Sequence, residues 1–112
     1  MEKTTKFFTY HQNGSGGHWD HDTQVSQVVI IEAENAEAAD RIAMDVGIYF
    51  NGVDDDIDCD CCGDRWYPAG QNEATDTPIA NINTVNWTTT QDEFSTIVIH
   101  FADGTVGYGT TF

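Results

Sequence analysis

The chain has 112 residues, 39% of them apolar and 12% aromatic, enough for one domain with a single core. Its formal net charge is −15, because 19 acidic residues face only Lys3, Lys6, Arg41 and Arg65. That balance excludes the ordinary nucleic-acid binder, which neutralises phosphates with Lys and Arg, and it disfavours an anionic membrane surface; a basic partner is favoured. The spread of Trp19, Trp66 and Trp87 along the chain separates it from a disordered acidic tail.

Thr4 to Gln12 is aromatic and Thr-rich and predicts a first strand. Asn13 to Gly17 (NGSGG) reads as a flexible turn. It is not a phosphate-binding loop, since no Gly-Lys-Ser/Thr and no helix follow. Val25 to Ala33 predicts a second strand, antiparallel to the first, and the run Val28-Val29-Ile30-Ile31 predicts burial on both faces. That run of four is the longest uninterrupted β-branched stretch, far short of a membrane span, and Met1 to Tyr10 lacks the apolar region of a signal peptide. The expected location is the cytoplasm.

A helix is predicted over Ala36 to Val46. Asn35 is a suitable N-cap, and Glu37 and Asp40 suit the positive end of the helix dipole. Ala39, Ile42, Ala43 and Val46 form an apolar stripe, and Gly47 is the natural stop. Ile48 to Phe50 reads as a short extended piece. Val53 to Pro78 is then a long polar excursion. A strand is expected around Ile82 to Thr88, another over Phe94 to Ala102, a turn at Asp103-Gly104, and a return strand over Thr105 to Phe112. The order β-β-α-long loop-β-β-β predicts an α+β domain spanning 1–112, with one antiparallel sheet of about five strands packed on one helix.

The most distinctive stretch is Asp54 to Trp66 (DDDIDCDCCGDRW), which holds all three cysteines and six of the 19 acidic residues. Three cysteines, two of them adjacent, argue against a disulfide framework in a reducing compartment. Cys59-x-x-Cys62 followed by Gly63 has the spacing of a zinc knuckle, because a close Cys pair closes a chelate around a tetrahedral ion. His18-x-x-His21 is the best-spaced source of the remaining ligands, with Cys61 and His11 as substitutes. Such a zinc ion would be structural, linking the first hairpin to the acidic excursion. Free thiols and a redox Cys-x-x-Cys remain alternatives, although no activating helix N-terminus is evident for the latter.

Asp54, Asp55, Asp56, Asp58 and Asp60 form either a solvated charged loop or an acidic face for a partner. The calcium-loop pattern with its central Gly and closing Glu is absent. His100 alternates with Ile99 and Phe101 in a strand and reads as a satisfied structural residue. Arg65-Trp66 reads as packing against the sheet. No Ser-His-Asp triad can be assembled.

Three segments together, Phe8 to Gly17 (FTYHQNGSGG), Gly47 to Val53 (GIYFNGV) and Ile57 to Trp66 (IDCDCCGDRW), resemble a family of small proteins from tailed bacteriophages. The resemblance covers roughly the first 68 residues and supplies no catalytic residues. It implies an accessory protein made in the infected bacterium.

The leading functional expectation is therefore a non-enzymatic protein that binds a basic host or phage protein. Its concrete form is DNA mimicry, in which carboxylates imitate phosphates and block a nucleic-acid site, as a counter-defence inhibitor would. One alternative is a sponge or sensor for a nucleotide-like molecule, with Tyr10, Trp19, Trp66 and Tyr67 as an aromatic pocket. Another is a zinc-dependent hydrolase.

Overall fold

The computed structural model describes residues 5–12, 23–50, 66–68, 74–80, 83–91 and 95–110. Strand β1 spans Lys6–His11 and strand β2 spans Val28–Ala33. They pair antiparallel with Phe8 opposite Ile31 and Tyr10 opposite Val29. Every residue of β2 is buried, as the unbroken β-branched run requires of a central strand.

Helix α1, Ala36–Val46, has the bounds its sequence predicts. The Asn35 side chain accepts the Ala38 N–H at 2.8 Å, satisfying one of the free donors of the first turn. Gly47 closes the other end at φ 115°, a left-handed conformation that needs no Cβ, and its N–H reaches the last helical carbonyls. Ala39 and Ala43 are fully buried against the sheet, where their small side chains allow close approach.

Five further short strands follow the helix among the described residues. Strands β3 (Ile79–Ala80) and β4 (Asn83–Thr84) form a separate two-stranded hairpin. Strands β5 (Trp87–Thr88), β6 (Ile97–His100) and β7 (Val106–Gly109) join β1 and β2 in one five-stranded sheet of order β1-β2-β6-β7-β5. The turn between β6 and β7 falls at Asp103-Gly104, where Gly104 has φ 92° and the Asp103 carboxylate accepts the Thr105 N–H at 2.9 Å.

Among the described residues, the α+β class, a five-stranded sheet and one helix agree with the sequence, and the β3-β4 hairpin is an addition to it. The sheet is mixed rather than wholly antiparallel, because β6 lies parallel to β2. The reason is the route of the chain. After β2 the chain forms the helix, and β6 begins only at Ile97, so residues 34–96 separate the two strands. Parallel neighbours require such a long crossover, whereas tight turns enforce antiparallel pairing. The single strand expected at Ile82 to Thr88 is divided into β4 and β5, which belong to different sheets.

Alternation along the strands creates two apolar layers. On the helix side Phe8, Tyr10, Val29, Ile31, Ala39, Ala43, Ile48 and Trp66 pack together. On the opposite side Phe7, Val28, Ile30, Val85, Ile97 and Ile99 do so, with Phe101 at the margin. Glu32 is the buried carboxylate in this framework. It accepts the Thr5 hydroxyl and, at 3.0 Å, the Ala102 N–H, so one side chain joins the start of β1 to the turn after β6.

Candidate functional site

Most of the chemistry-bearing residues singled out from the sequence lie outside the described residues. These are Cys59, Cys61, Cys62, His18, His21, Trp19, Arg65, and Asp54, Asp55, Asp56, Asp58 and Asp60. What the structure does define is the ground on either side of the two segments that carry them.

The first segment, residues 13–22, leaves from Gln12 and re-enters at Thr23. Gln12 is buried, its main-chain N–H donates to Gln27 O at 2.9 Å, and its side-chain amide donates to Ser26 O at 3.0 Å. On the return side, Tyr108 donates its hydroxyl to Thr23 O and His100 Nε2 lies 2.7 Å from Gln24 O. His100 is thus a buried structural residue that pins the strap at residues 23–24, as its place in the strand predicts.

The second segment, residues 51–65, leaves from Phe50 and re-enters at Trp66. The Phe50 ring packs on Tyr10 with centroids 6.2 Å apart. Tyr10 in turn donates its hydroxyl to the Asp40 carboxylate at 2.7 Å. Trp66 is 1% exposed within the same helix-side layer. The residues flanking the acidic segment therefore meet one core cluster, Trp66 buried within it and Phe50 half-buried against it.

The two segments also start from neighbouring ground. Gly47, just before Phe50, sits so close to Val25 that a Cβ there would lie 3.7 Å from Val25 Cγ2. Tyr10, which holds Phe50, is two residues before Gln12. The end of β1, the approach to β2 and the end of α1 meet at one end of the domain.

His11 is placed differently. It is the last residue of β1, exposed, and by strand alternation it projects on the face opposite Tyr10. It does not share the face on which Phe50 and Trp66 are anchored. Tyr10 and Trp66 are core residues rather than walls of an aromatic pocket, while Tyr67 is exposed. Among the described residues, no three His, Cys, Asp or Glu side chains are grouped to hold a metal ion.

A second feature was not legible as a site. On the helix side of the sheet, α1 packs over β2 and the neighbouring β1. Over β7 and β5 lies a cleft of about 170 Å³ walled by Asn86, Thr88, Thr90, Ser95, Tyr108 and Thr110. Its signal in the sequence is the Asn86 to Thr90 run (NWTTT), polar and β-branched on a short strand.

The comparison with known families decides the identity. A family model described as a domain of unknown function, DUF7296, matches residues 5–111. The chain belongs to this family. The DUF7296 match takes in the helix and every described strand from β1 to β7. No curated protein and no solved structure matches the chain. Among the described residues, no helix is long and apolar enough to cross a membrane.

Proposed function

We propose that this DUF7296 protein is a non-catalytic binding protein that presents the acidic segment 51–65 to a positively charged protein. The observation that carries the reading is the anchoring of that segment. Phe50 and Trp66 are both held in the helix-side core, so Asp54, Asp55, Asp56, Asp58 and Asp60 are tethered at both ends to a rigid base. A net charge of −15 steers a cationic partner toward such a base and repels anionic ones.

The finer form of the proposal is a phage accessory protein acting as a DNA mimic on a nucleic-acid-binding protein. A structural zinc ion held by Cys59, Cys62, His18 and His21 would lock the two segments together. The contacts of Tyr10 with Phe50 and of Val25 with Gly47 support this pairing, because they start both segments from the same end of the domain. Zinc would there supply folding free energy to a stretch whose charge opposes compaction.

Pull-down from bacterial lysate at low and high salt tests the binding reading. The comparison is the wild-type chain against a variant with all five aspartates replaced by Asn. Capture of a nucleic-acid-binding protein by the wild type at low salt, lost in the variant and displaced by duplex DNA, is the expected result. Equal capture by both chains would remove the acidic segment from the mechanism. Elemental analysis of the purified protein, alongside Cys59→Ser, tests the zinc: one equivalent in the wild type, lost together with thermal stability in the variant, is expected.

A further inference from the structure

The two edges of the sheet are finished differently. The outer edge of β1 is covered. Phe7 and Thr75 exchange both main-chain hydrogen bonds at 2.8 and 2.9 Å, Thr9 donates its hydroxyl to Ile79 O, and the Lys6 ammonium pairs with Asp76. The other edge, β5, ends the sheet order and pairs only with β7. Residues 86–90 are all exposed, and among the described residues no strand lies outside them. An edge of this kind is a template for another strand.

The two faces at this edge are unlike, and each offers a seat for a side chain. On one face Trp87, 39% exposed, stacks on Phe101 with centroids 4.7 Å apart. Gly107 underlies it so closely that a Cβ there would lie 2.6 Å from the indole, so the site depends on a bare backbone at that position. On the other face is the cleft beside Thr88 and Tyr108. At about 170 Å³ it falls below the roughly 300 Å³ at which small-molecule sites begin, which suits one side chain better than a free ligand. Neighbouring residues of an extended strand point to opposite faces, so one would reach Trp87 and the next the cleft.

The cleft also has a chemical preference. None of its lining residues is charged. Tyr108 donates its hydroxyl proton to the Thr23 carbonyl, which leaves its oxygen as an acceptor at the cleft, while the Thr88 hydroxyl donates to Thr90 O and accepts Thr90 N–H. A hydrogen-bond donor answers the Tyr108 oxygen, and the charge of −15 favours a cationic one. The same charge opposes pairing with a second copy of this chain.

We propose that the β5 edge receives an extended cationic segment of the partner protein as an added strand, with one Lys or Arg side chain in the hydroxyl-lined cleft and the adjacent residue on Trp87. This rests on the reading of the protein as a binder of positively charged proteins and names a contact separate from the acidic segment. Main-chain bonds would give affinity and the two seats specificity, as in other strand-addition interfaces.

The test is titration of the isotope-labelled full chain with a synthetic peptide of alternating Lys, Val and Thr, and with a peptide of the same length carrying Glu for Lys. The expected result is amide shifts centred on residues 86–90 and 107–110 with the Lys peptide and none with the Glu peptide. Thr90→Lys, at an exposed position, should weaken the binding about tenfold or more by setting like charges together, with the circular dichroism spectrum unchanged. A parallel titration uses the five-aspartate-to-Asn variant. Shifts elsewhere, or full binding by Thr90→Lys, overturn the edge site and leave the acidic-segment reading standing. Loss in Thr90→Lys with retention in the Asn variant supports the edge and counts against the acidic segment. No shift with either peptide at millimolar concentration overturns the edge, as does a concentration-dependent dimer that Thr90→Lys dissolves.

Discussion

The two halves of the sheet are built to different standards. Around β1 and β2 both faces are covered, the outer edge is bridged by Thr75, and the core is closed by Tyr10, Phe50 and Trp66. Around β7 and β5 the helix is absent, Trp87 is partly exposed, and a polar cleft reaches the sheet surface. The difference teaches where stability and interaction are separated in this fold. Burial of apolar side chains is concentrated in the first half, and it is there that the acidic segment is tethered. The second half keeps exposed backbone and hydroxyls, which add little to stability and are the groups an incoming strand could use.

The largest effect should come from the closure of the first half. Trp66→Ala removes a fully buried indole from the helix-side layer and should cost about 3–5 kcal/mol in urea unfolding. It also frees one end of segment 51–65, so binding to a cationic partner should fall together with stability. Trp66→Phe sharpens the point. Among the described residues the indole N–H has no hydrogen-bond partner, and an unpaired buried donor costs roughly 1–3 kcal/mol. Phe loses some packing but relieves that penalty, so it should be much milder than Ala.

The seam between the halves comes next. Glu32 accepts hydrogen bonds from Thr5, before β1, and from Ala102, after β6. Glu32→Ala leaves the Ala102 N–H without this acceptor and should cost about 1–3 kcal/mol. Hydrogen exchange at Ala102 should accelerate more than exchange at Val29 or Ile30 in the middle of β2. Equal acceleration throughout would mean that the carboxylate holds the whole sheet rather than this seam.

Much of this frame could be read from the residues. The helix bounds follow from Asn35, the alanine stripe and Gly47, each of which acts within a few residues of itself. The buried β2 follows from four consecutive β-branched residues. What could not be read was set by distant parts of the chain. The parallel pairing of β2 with β6 depends on the long crossover through residues 34–96, and no local pattern encodes its direction. Glu32 sits in an apolar strand without any local hint that Ala102, seventy positions away, supplies its donor. The Cys59 and Asp54 stretch stood out by composition, yet its flanks became informative only once Phe50 and Trp66 were found in one core. The cleft beside β5 escaped notice because threonines on a short strand look the same whether they face solvent or a binding partner.

Loss of the helix cap is a smaller break. Asn35→Ala removes the acceptor for Ala38 N–H and should lower stability by about 1 kcal/mol. Since α1 packs over β2 and β1, exchange should speed up in the first helical turn while β7 is scarcely affected.

The smallest stability effect is expected at the bare edge, and it sharpens the comparison most. Thr88 is exposed, and its hydroxyl bonds only locally, donating to Thr90 O and accepting Thr90 N–H. Thr88→Ala should therefore shift the unfolding midpoint by no more than about 0.5 kcal/mol, as surface substitutions do. It nevertheless removes an oxygen from the cleft wall, so the affinity for a Lys-bearing extended peptide should drop while the fold is unmoved. A change at β5 that spares stability and weakens binding separates the edge from the core. A change that lowers both would mean that β5 serves the packing of β7, and the contrast between the two halves would then be one of degree.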